Sequence, residues 1–341
     1  MNIKGMSLYQ LEELFVELGE KAFRGRQVFR WIRKGVTDFG DMTDLPVSLQ
    51  QKLDRIVSLE SLEILRLQIS KTDGTRKYLF GLEDGHSVES VFMKYKHGNS
   101  ICISTQVGCP MGCLFCASGV GGFIRNLTAG EMEDQILSIE KDTGERISNV
   151  VVMGTGEPFN NYHNLAIFLN NIHSKEGLGL SWRSITLSTC GLVPEIIRFG
   201  QDFPQVNLAV SLHAPDDKIR NDLMPINRKY PIKVLLDACD RHSRLTGRRV
   251  TFEYALIDGM NDGRTHALEL ANLLKNTLCH VNLIPLNPVA ESRWKGASRE
   301  RARFFLDVLK EKGIPATIRR ELGGDIDGAC GQLRISEEKN K

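Results

Sequence analysis

The sequence predicts an α/β fold built around a parallel sheet, and two observations lead to this prediction. From residue 99 onward, short apolar runs typical of buried strands alternate with amphipathic segments at helical spacing. These strand-like runs end in polar or glycine-rich residues, as expected where parallel strands carry a site at their carboxyl ends. Repeated strand–helix alternation favours parallel βαβ units, and hence either an open sheet or a barrel.

The individual elements follow from the same patterns. Strand-like runs cover 101–105, 149–153, 184–188, 206–211, 250–257, 280–284 and 316–319. Amphipathic helices are predicted at 164–173, 232–245, 263–275 and 298–312. A further helix should begin after Thr128 and run to about Lys141, because Thr128 and Glu131 have the spacing of a capping box.

The first 98 residues have a different organisation. Residues 1–60 are predicted to form a small helical domain, with an apolar stripe over 8–18 and a second helix over 23–34. In that second helix Phe29, Trp31 and Ile32 can pack inward, whereas Arg26, Arg30, Arg33 and Lys34 form a basic face that suits either solvent or RNA phosphates. Residues 61–98 indicate a β-hairpin or meander, with turns at Asp73-Gly74 and Asp84-Gly85.

Composition narrows the class of protein. The chain has 341 residues, of which 41% are hydrophobic and 25% charged, and its net charge is only +2. The length and composition suit one large globular domain together with a small one. The low net charge does not by itself indicate a polyanionic partner. The start lacks an apolar signal segment and no apolar run is long enough to span a bilayer, so we expect a cytoplasmic protein without membrane attachment. Its eight cysteines then indicate reduced thiols.

Three of these cysteines, Cys109, Cys113 and Cys116, are spaced C-x3-C-x2-C. A four-iron cluster normally has four cysteine ligands, so a loop with three would leave one iron open for chemistry. A zinc site, a disulfide framework or plain thiols are the alternatives, although structural zinc prefers a closed set of four ligands. From the spacing alone these alternatives stay open.

Polar residues at the predicted strand ends offer ligand contacts. Gly156 and Glu157 lie in the turn Gly154-Thr155-Gly156-Glu157-Pro158, where backbone groups can approach a ligand and a carboxylate can accept from an ammonium or a hydroxyl. Other strand ends carry Ser188, the triplet Ser211, Leu212 and His213, and Asn287, which could bind ribose and adenine edges. Each of these alone is also compatible with an ordinary loop residue.

Two further cysteines stand out by position. Cys102 lies on the strand that leads into the cysteine loop, and Cys330 lies in a glycine-rich segment, 321–341, that we expect to be flexible. A cysteine on such a segment can reach a reactive centre, and a second thiol can resolve the product by disulfide exchange. Cys190, Cys239 and Cys279 are instead expected to be small apolar core residues.

Taken together, the motifs resemble those of the RlmN/Cfr family, which are radical S-adenosylmethionine (SAM) methyltransferases that act on adenosine in RNA. The resemblance covers essentially the whole chain and is carried by the spacing of Cys102, Cys109, Cys113 and Cys116, and by 125–128, 153–158, 211–215, 224–227 and 325–333. It implies a partial (β/α)6-type radical SAM barrel over 99–320, with the N-terminal helical domain and the β extension as accessories. The N-terminal region and the stretch 121–126 are more similar to RlmN than to Cfr.

The resemblance also implies cofactors and ligands. Cys109, Cys113 and Cys116 would hold a [4Fe–4S] cluster, and two SAM molecules would be used per turnover. The SAM contacts would come from Gly156, Glu157, Ser188, Ser211, Leu212, His213 and Asn287. Thr155 departs from the family, in which many members have methionine at this position, and we expect it to affect packing rather than chemistry.

The implied mechanism uses the two outlying cysteines. One SAM methylates Cys330, and a radical made from a second SAM removes a hydrogen atom from the S-methyl group. The methylene radical adds to the adenine ring, Glu89 accepts the ring proton, and Cys102 attacks the sulfur of Cys330 to release methyladenosine and leave a transient disulfide. The adenine ring carbons are too weakly nucleophilic for direct methylation by SAM, which explains this route.

RlmN-like members imply methylation of C2 in adenosine 2503 of 23S rRNA and in adenosine 37 of tRNA. Cfr-like members imply C8 of the same rRNA adenosine instead. A flavodoxin-like electron donor and a monomer are expected. The alternative from a different class is a non-catalytic, metal-stabilised RNA-binding module, which would contain zinc and would not cleave SAM.

Overall fold

Ten strands form one continuous sheet in the computed structural model, which describes residues 1–96, 98–119, 121–286 and 294–326. The sheet order is β1-β2-β3-β4-β7-β8-β9-β10-β11-β12, and β5 and β6 form a separate hairpin. The strands are β1 Glu63–Ile69, β2 Arg76–Gly81, β3 Ser87–Tyr95, β4 Gly98–Cys102, β5 Gln106–Gly108, β6 Phe123–Asn126, β7 Asn149–Val152, β8 Ile185–Thr189, β9 Asn207–Ser211, β10 Val250–Leu256, β11 Cys279–Pro285 and β12 Ala316–Ile318.

The parallel part of this sheet confirms the predicted fold class. Strands β4 and β7 through β12 pair in parallel, so their carboxyl ends meet at one edge. In the described residues, the six strands expected for a partial barrel are followed by β12, a short seventh strand. The predicted meander is also present, because β1, β2 and β3 pair antiparallel, and β3 pairs with β4. The meander therefore extends the same sheet.

The described residues also contain ten α-helices, of which the last seven connect the parallel strands. The helices are α1 Leu8–Glu17, α2 Ala22–Arg33, α3 Val47–Ile56, α4 Ala129–Thr143, α5 Tyr162–His173, α6 Val193–Asp202, α7 Asp217–Leu223, α8 Ile232–Thr246, α9 Arg264–Leu273 and α10 Arg299–Glu311. The capping box at the start of α4 is confirmed, with Thr128 and Glu131 bonding each other's backbone N–H groups. Among the described helices, none combines the length and apolarity needed to span a bilayer.

The N-terminal helices α1 to α3 surround a hydrophobic cluster of their own. Its buried members include Leu11, Phe15, Val28, Phe29 and Leu53. The apolar faces predicted for α1 and α2 are thus confirmed, although Trp31 is only partly buried and its indole N–H donates to Asp44 Oδ1 at 2.6 Å. The cluster gives residues 1–59 a separate centre of packing.

One member of the predicted basic face is placed differently. Arg33 is buried and forms a two-pronged ion pair with Glu133 of α4, at 3.1 and 2.8 Å. Lys4 makes a second buried pair with Asp134 at 2.6 Å. Burial raises the pKa of Glu133 to about 7, against the opposing effect of Arg33. Removing one partner of such a pair costs about 3–5 kcal/mol, so these contacts hold the N-terminal helices against α4.

Candidate active site

The predicted metal-ligand loop, Cys109–Cys116, lies between the hairpin strands β5 and β6 on one side and α7 on the other. The Cys109 N–H donates to the Gly122 carbonyl at 3.1 Å, and the Leu114 N–H donates to the Leu223 carbonyl at 3.0 Å. Gly108 has a φ of +73°, and a Cβ there would lie 1.8 Å from the Gly122 oxygen. Glycine is therefore required where the hairpin closes the base of the loop.

The three thiols are held together in partly buried positions. Burial raises the pKa of Cys109 to about 11, and burial also raises the pKa of Cys113, to which the neighbouring Cys109 and Cys116 contribute. No three His, Cys, Asp or Glu side chains of the described chain converge on a point where they could hold one metal ion. A cluster differs from a single ion, because its ligands bind separate iron atoms. Three soft thiolate ligands on one loop are a donor set that fits a [4Fe–4S] cluster.

An apolar floor supports this loop. Met111, Cys113 and Phe115 pack against a buried cluster formed by Cys190, Leu223, Met224 and Ile257. Cys190 is buried in this cluster, as expected for a small core residue, and burial together with nearby Glu157 and Cys113 raises its pKa well above normal. It lies between the predicted cluster ligands and the predicted SAM contacts, because Cys113 packs against the same cluster and the Cys190 N–H donates to Glu157. Cys239 and Cys279 belong to the main hydrophobic core, as expected.

The turn after β7 is packed too closely for any side chain at its second glycine. Gly156 has a φ of +116°, and a Cβ there would lie 2.7 Å from Thr105 Oγ1 and 2.8 Å from Gln106 Cβ. The carbonyl of the buried Thr155 accepts from the Thr105 N–H at 2.9 Å. These contacts join the turn to the segment that follows β4. Residues 154–158 thus form a closely packed turn at the carboxyl edge of the sheet, which we call the glycine cradle.

Glu157 is buried at the end of this cradle. Its Oε1 accepts from the Phe159 N–H at 3.1 Å, and its Oε2 accepts from the Cys190 N–H at 2.7 Å. Burial raises the pKa of Glu157, while these hydrogen bonds oppose the shift. An ionised carboxylate has about four acceptor sites, so it can still accept from a ligand while these two bonds hold its orientation.

His213 follows β9 in a left-handed conformation with a φ of +56°. Its Nδ1 accepts from the Ala255 N–H at 2.9 Å, which requires the ring proton to be on Nε2. Burial lowers the pKa of His213 to about 3, with a smaller contribution from Arg220, so the ring is neutral. Phe115 of the cysteine loop contacts the ring edge-to-face with centroids 4.9 Å apart. His213 thus contacts the metal-ligand loop directly.

The other predicted SAM contacts lie on the same sheet edge. Ser188 is partly buried near the end of β8, and Ser211 ends the adjacent β9. Leu212 is fully buried, and its N–H donates to the Glu253 carbonyl at 3.0 Å. Its carbonyl accepts from Arg220 Nε at 3.1 Å, so both main-chain polar groups of Leu212 have partners within the protein. Asn287 lies outside the described residues.

Arg220 of α7 is a residue that sequence reasoning missed. It is fully buried and donates to the carbonyls of Cys190 at 2.8 Å and of Ser211 and Leu212 at 3.1 Å. It also donates to Asn227 Oδ1 at 2.7 Å. The only sequence signal near Arg220 is the motif 224–227. The local sequence does not distinguish a buried arginine from an exposed one on a short helix.

The two predicted groups for product release lie on adjacent strands. Val91 of β3 pairs with Cys102 of β4, so their side chains share a face, and Glu89 shares it because it is two residues from Val91. Glu89 is buried and forms an ion pair with Lys77 Nζ at 3.0 Å. Cys102 is buried beside Val91 and Met93. Cys330, the predicted methyl carrier, lies outside the described residues.

Comparison with known proteins adds independent findings. Residues 1–59 match the family model described as the ribosomal RNA large subunit methyltransferase N-terminal domain, and residues 103–271 match the radical SAM superfamily. A probable dual-specificity RNA methyltransferase RlmN of Desulforamulus reducens is 50% identical, covering 100% of this chain and 98% of that relative. Its counterpart in Alkaliphilus metalliredigens is 52% identical, covering 98% of this chain and 95% of that relative.

A solved structure of a relative supports the radical SAM fold. A radical SAM methyltransferase from Sphaerobacter thermophilus is 46% identical, with a TM-score of 0.93, and the match covers 97% of this chain and 98% of that chain. At this level of similarity the relative has the same fold as this chain. The radical SAM fold inferred from the sequence motifs is therefore confirmed.

His213 should make the protein less stable in mild acid. The unfolded histidine takes up a proton near pH 6.5, but the folded one does so only near pH 3, so stability is lost as the pH falls below about 6.5. Because of His213 alone, the free energy of unfolding should be about 2 kcal/mol lower at pH 5 than at pH 7. His213→Asn tolerates the positive φ and should reduce that loss, as measured by anaerobic urea unfolding at both pH values.

His163→Asn, on an exposed position of α5, is the control and should behave like the wild type. Equal losses in His213→Asn and the wild type would contradict the prediction.

Proposed function

The chain belongs to the RlmN family of radical SAM RNA methyltransferases, and from this premise we propose that it methylates C2 of adenosine in 23S rRNA and in tRNA. The observation that carries the proposal is the 50% identity over the full length to relatives named dual-specificity RNA methyltransferases. The proposed targets are adenosine 2503 of the rRNA and adenosine 37 of tRNAs. The geometry of the sheet edge supports the proposal, because the cysteine loop, the glycine cradle and His213 lie together there.

The cofactors would be held by this edge. Cys109, Cys113 and Cys116 would bind the [4Fe–4S] cluster, which when loaded supplies the electron that cleaves SAM into a 5′-deoxyadenosyl radical. Gly156, which packs closely against Thr105 and Gln106, would offer SAM a main-chain contact, and Glu157 has acceptor sites for the SAM ammonium group. The Nε2–H of His213 and the hydroxyls of Ser188 and Ser211 are donors for the nucleoside part. Asn287 is proposed as a further contact, and two SAM molecules would be used per turnover.

Product release would depend on Cys102, Glu89 and Cys330. We assign to Cys330 the role of carrying the methyl group as a thioether. Once the methylene carbon of the carrier has bonded to C2 of the adenine ring, the ring would lose its C2 proton to Glu89 and return one electron to the reducing system. Cys102 would then attack Sγ of Cys330, forming the S–S bond and breaking the S–CH2 bond, and the released carbon would take up a proton. The shared face of Glu89 and Cys102 supports these roles, because both groups must reach one adduct.

RNA would be contacted by the N-terminal helices. The side chains of Arg26 and Arg30 on α2, and of Lys34 directly after it, remain exposed, although Arg26 pairs with Glu12 and Arg30 with Glu176. These ion pairs are solvent-exposed and weak, so phosphate groups can replace the carboxylates. We propose residues 1–60 as an RNA-binding domain on this basis. The target base must leave its stack to be reached, which costs less in RNA loops than in a duplex.

The remaining partners follow from this chemistry. A reductant such as a flavodoxin system would supply electrons to the cluster. A cytoplasmic location is proposed, because both RNA substrates occur there. We propose that the protein acts as a monomer, with residues 61–98 as a β extension, 99–320 as the barrel and 321–341 as the carrier segment.

We expect the enzyme to methylate C2 of adenosine. RNA treated with the reduced, cluster-loaded enzyme and SAM should contain 2-methyladenosine, as identified by mass spectrometry of nucleosides against synthetic C2 and C8 standards. The reason is the 50% identity to a relative named RlmN, together with the match of residues 1–59 to the ribosomal RNA large subunit methyltransferase N-terminal domain. 8-Methyladenosine as the product would assign the chain to the Cfr-type reaction instead. Zinc in place of iron, with no SAM cleavage, would favour the non-catalytic module.

Cys330→Ala should abolish methyl transfer, because the proposed carrier is lost, while the cluster ligands are untouched. The iron content and the charge-transfer absorption of the cluster should therefore equal those of the wild type. Cys279→Ala is the matched control, since Cys279 begins β11 at the opposite end of the sheet from the site. Methyladenosine formed by Cys330→Ala at the wild-type rate would disprove the carrier role.

Cys102→Ala should stop the reaction at the covalent protein–RNA adduct, because no thiol remains to attack the sulfur of Cys330. The adduct should appear as a slower band on a denaturing gel that disappears after ribonuclease treatment. The double variant Cys102→Ala/Cys330→Ala should give no such band. If the single variant turns over without an adduct, another group must resolve the intermediate.

A further inference from the structure

Two turns hold each other at the start of the C-terminal segment. The first turn is residues 70–75, between β1 and β2, and the second is residues 322–326, which follow β12 along the chain. Asp325 of the second turn accepts from Ser70 Oγ at 2.5 Å, the Lys71 N–H at 2.8 Å and Thr72 Oγ1 at 3.1 Å. Asp73 of the first turn accepts in return from the Gly323 N–H at 2.9 Å. Each turn therefore provides a carboxylate to the other.

Both carboxylates are held in their ionised form. Hydrogen bonds from Ser70, Lys71 and Thr72 lower the pKa of Asp325. Burial alone would raise the pKa of Asp73, but hydrogen bonds from Thr75, Gly323 and Ser70 have the larger combined effect and lower the pKa to about 2. Hydrogen bonds to ionised acceptors are roughly twice as strong as neutral ones. The reciprocal contact is therefore a charge-assisted junction of two turns.

This junction lies next to the proposed resolving cysteine. Leu322, the first residue of the second turn, packs against the buried cluster of Val91, Met93 and Cys102. The turn itself is tight, because Gly323 has a φ of +63° and the Ile326 N–H donates to the Gly323 carbonyl at 3.2 Å. The chain is thus attached to the body of the protein beside Cys102, four residues before Cys330 in sequence.

We propose that Asp325 is a positioning residue that anchors the carrier segment, so that Cys330 starts from a fixed point close to Cys102. This inference rests on the proposed function, which makes Cys330 and Cys102 a reacting pair. Without Asp325, the last contact that holds the second turn is the Gly323 N–H on Asp73, so the tether to Cys330 lengthens from five residues to seven. Effective concentration falls roughly as the −3/2 power of tether length, so it should fall about 1.7-fold.

The test measures this effective concentration directly. The cluster-loaded protein is equilibrated anaerobically with reduced and oxidised glutathione, and the fraction of Cys102–Cys330 disulfide is read by mass spectrometry after alkylation. Glutathione disulfide is the oxidant, and each protein disulfide formed releases two molecules of reduced glutathione. The equilibrium constant should be about 1.7-fold lower in Asp325→Ala than in the wild type. Asp73→Ala, which removes the reciprocal carboxylate, should also lower it.

Glu321→Ala is the matched control. Glu321 lies in the same segment and pairs with Arg299 at 3.4 Å, but both side chains are largely exposed and neither belongs to the junction. This variant should keep the wild-type constant. Asp325 is exposed, so its substitution should leave the melting temperature unchanged. Faster hydrogen exchange of the Lys71 amide in Asp325→Ala would report the loss of the junction separately.

The outcomes separate the anchor from the proposed function. An unchanged constant in Asp325→Ala, or an equal fall in Glu321→Ala, would overturn the anchor while Cys330 stayed essential for methyl transfer. Full methyl transfer by Cys330→Ala would instead overturn the proposed function on which the anchor depends. A second readout is the ratio of methyl transfer to 5′-deoxyadenosine formation. It should fall in Asp325→Ala because the anchor acts on the carrier and not on SAM cleavage.

Discussion

The arrangement of the site depends on the buried guanidinium of Arg220. Burying a charge is costly unless polar groups replace the lost water, and here three backbone carbonyls and one amide oxygen do so. The carbonyls belong to Cys190, Ser211 and Leu212, at the ends of two neighbouring strands. Removing the cation would leave these buried acceptors without it and the strand ends without a shared partner. One side chain therefore joins the carboxyl ends of β8 and β9.

The consequences of this contact reach the metal-ligand loop through α7. Leu223 ends that helix and accepts from the Leu114 N–H of the loop, while His213 directly follows the strand end that Arg220 holds. Cys190, whose carbonyl is bonded to Arg220, directs its own N–H to Glu157. The loop, the histidine and the carboxylate are thus connected by short chains of hydrogen bonds. Positioned groups of this kind need little reorganisation when a ligand binds.

Sequence patterns predicted those parts of the molecule that depend on local chemistry. The capping box of α4, the alternation of strands and helices and the C-x3-C-x2-C loop are properties of neighbouring residues, so they could be recognised. The burial of Arg33, the pairing of Lys77 with Glu89 and the role of Arg220 depend on residues distant in sequence. An arginine that faces Glu133 across 100 positions has the same local pattern as one that faces water. Tertiary contacts alone distinguish them.

The continuity of the sheet explains why the meander matters to the chemistry. Strands β1 to β3 extend the sheet beyond β4, so Glu89, Lys77 and Cys102 lie on one surface that continues into the parallel strands carrying the proposed SAM contacts. The same extension supplies the 70–75 turn that receives Asp325. In the proposed reaction the carrier thiol would have to meet SAM, the base and a resolving thiol in sequence. A sheet that is unbroken across both regions would let one short segment serve all three, since its proposed anchor and targets belong to the same sheet.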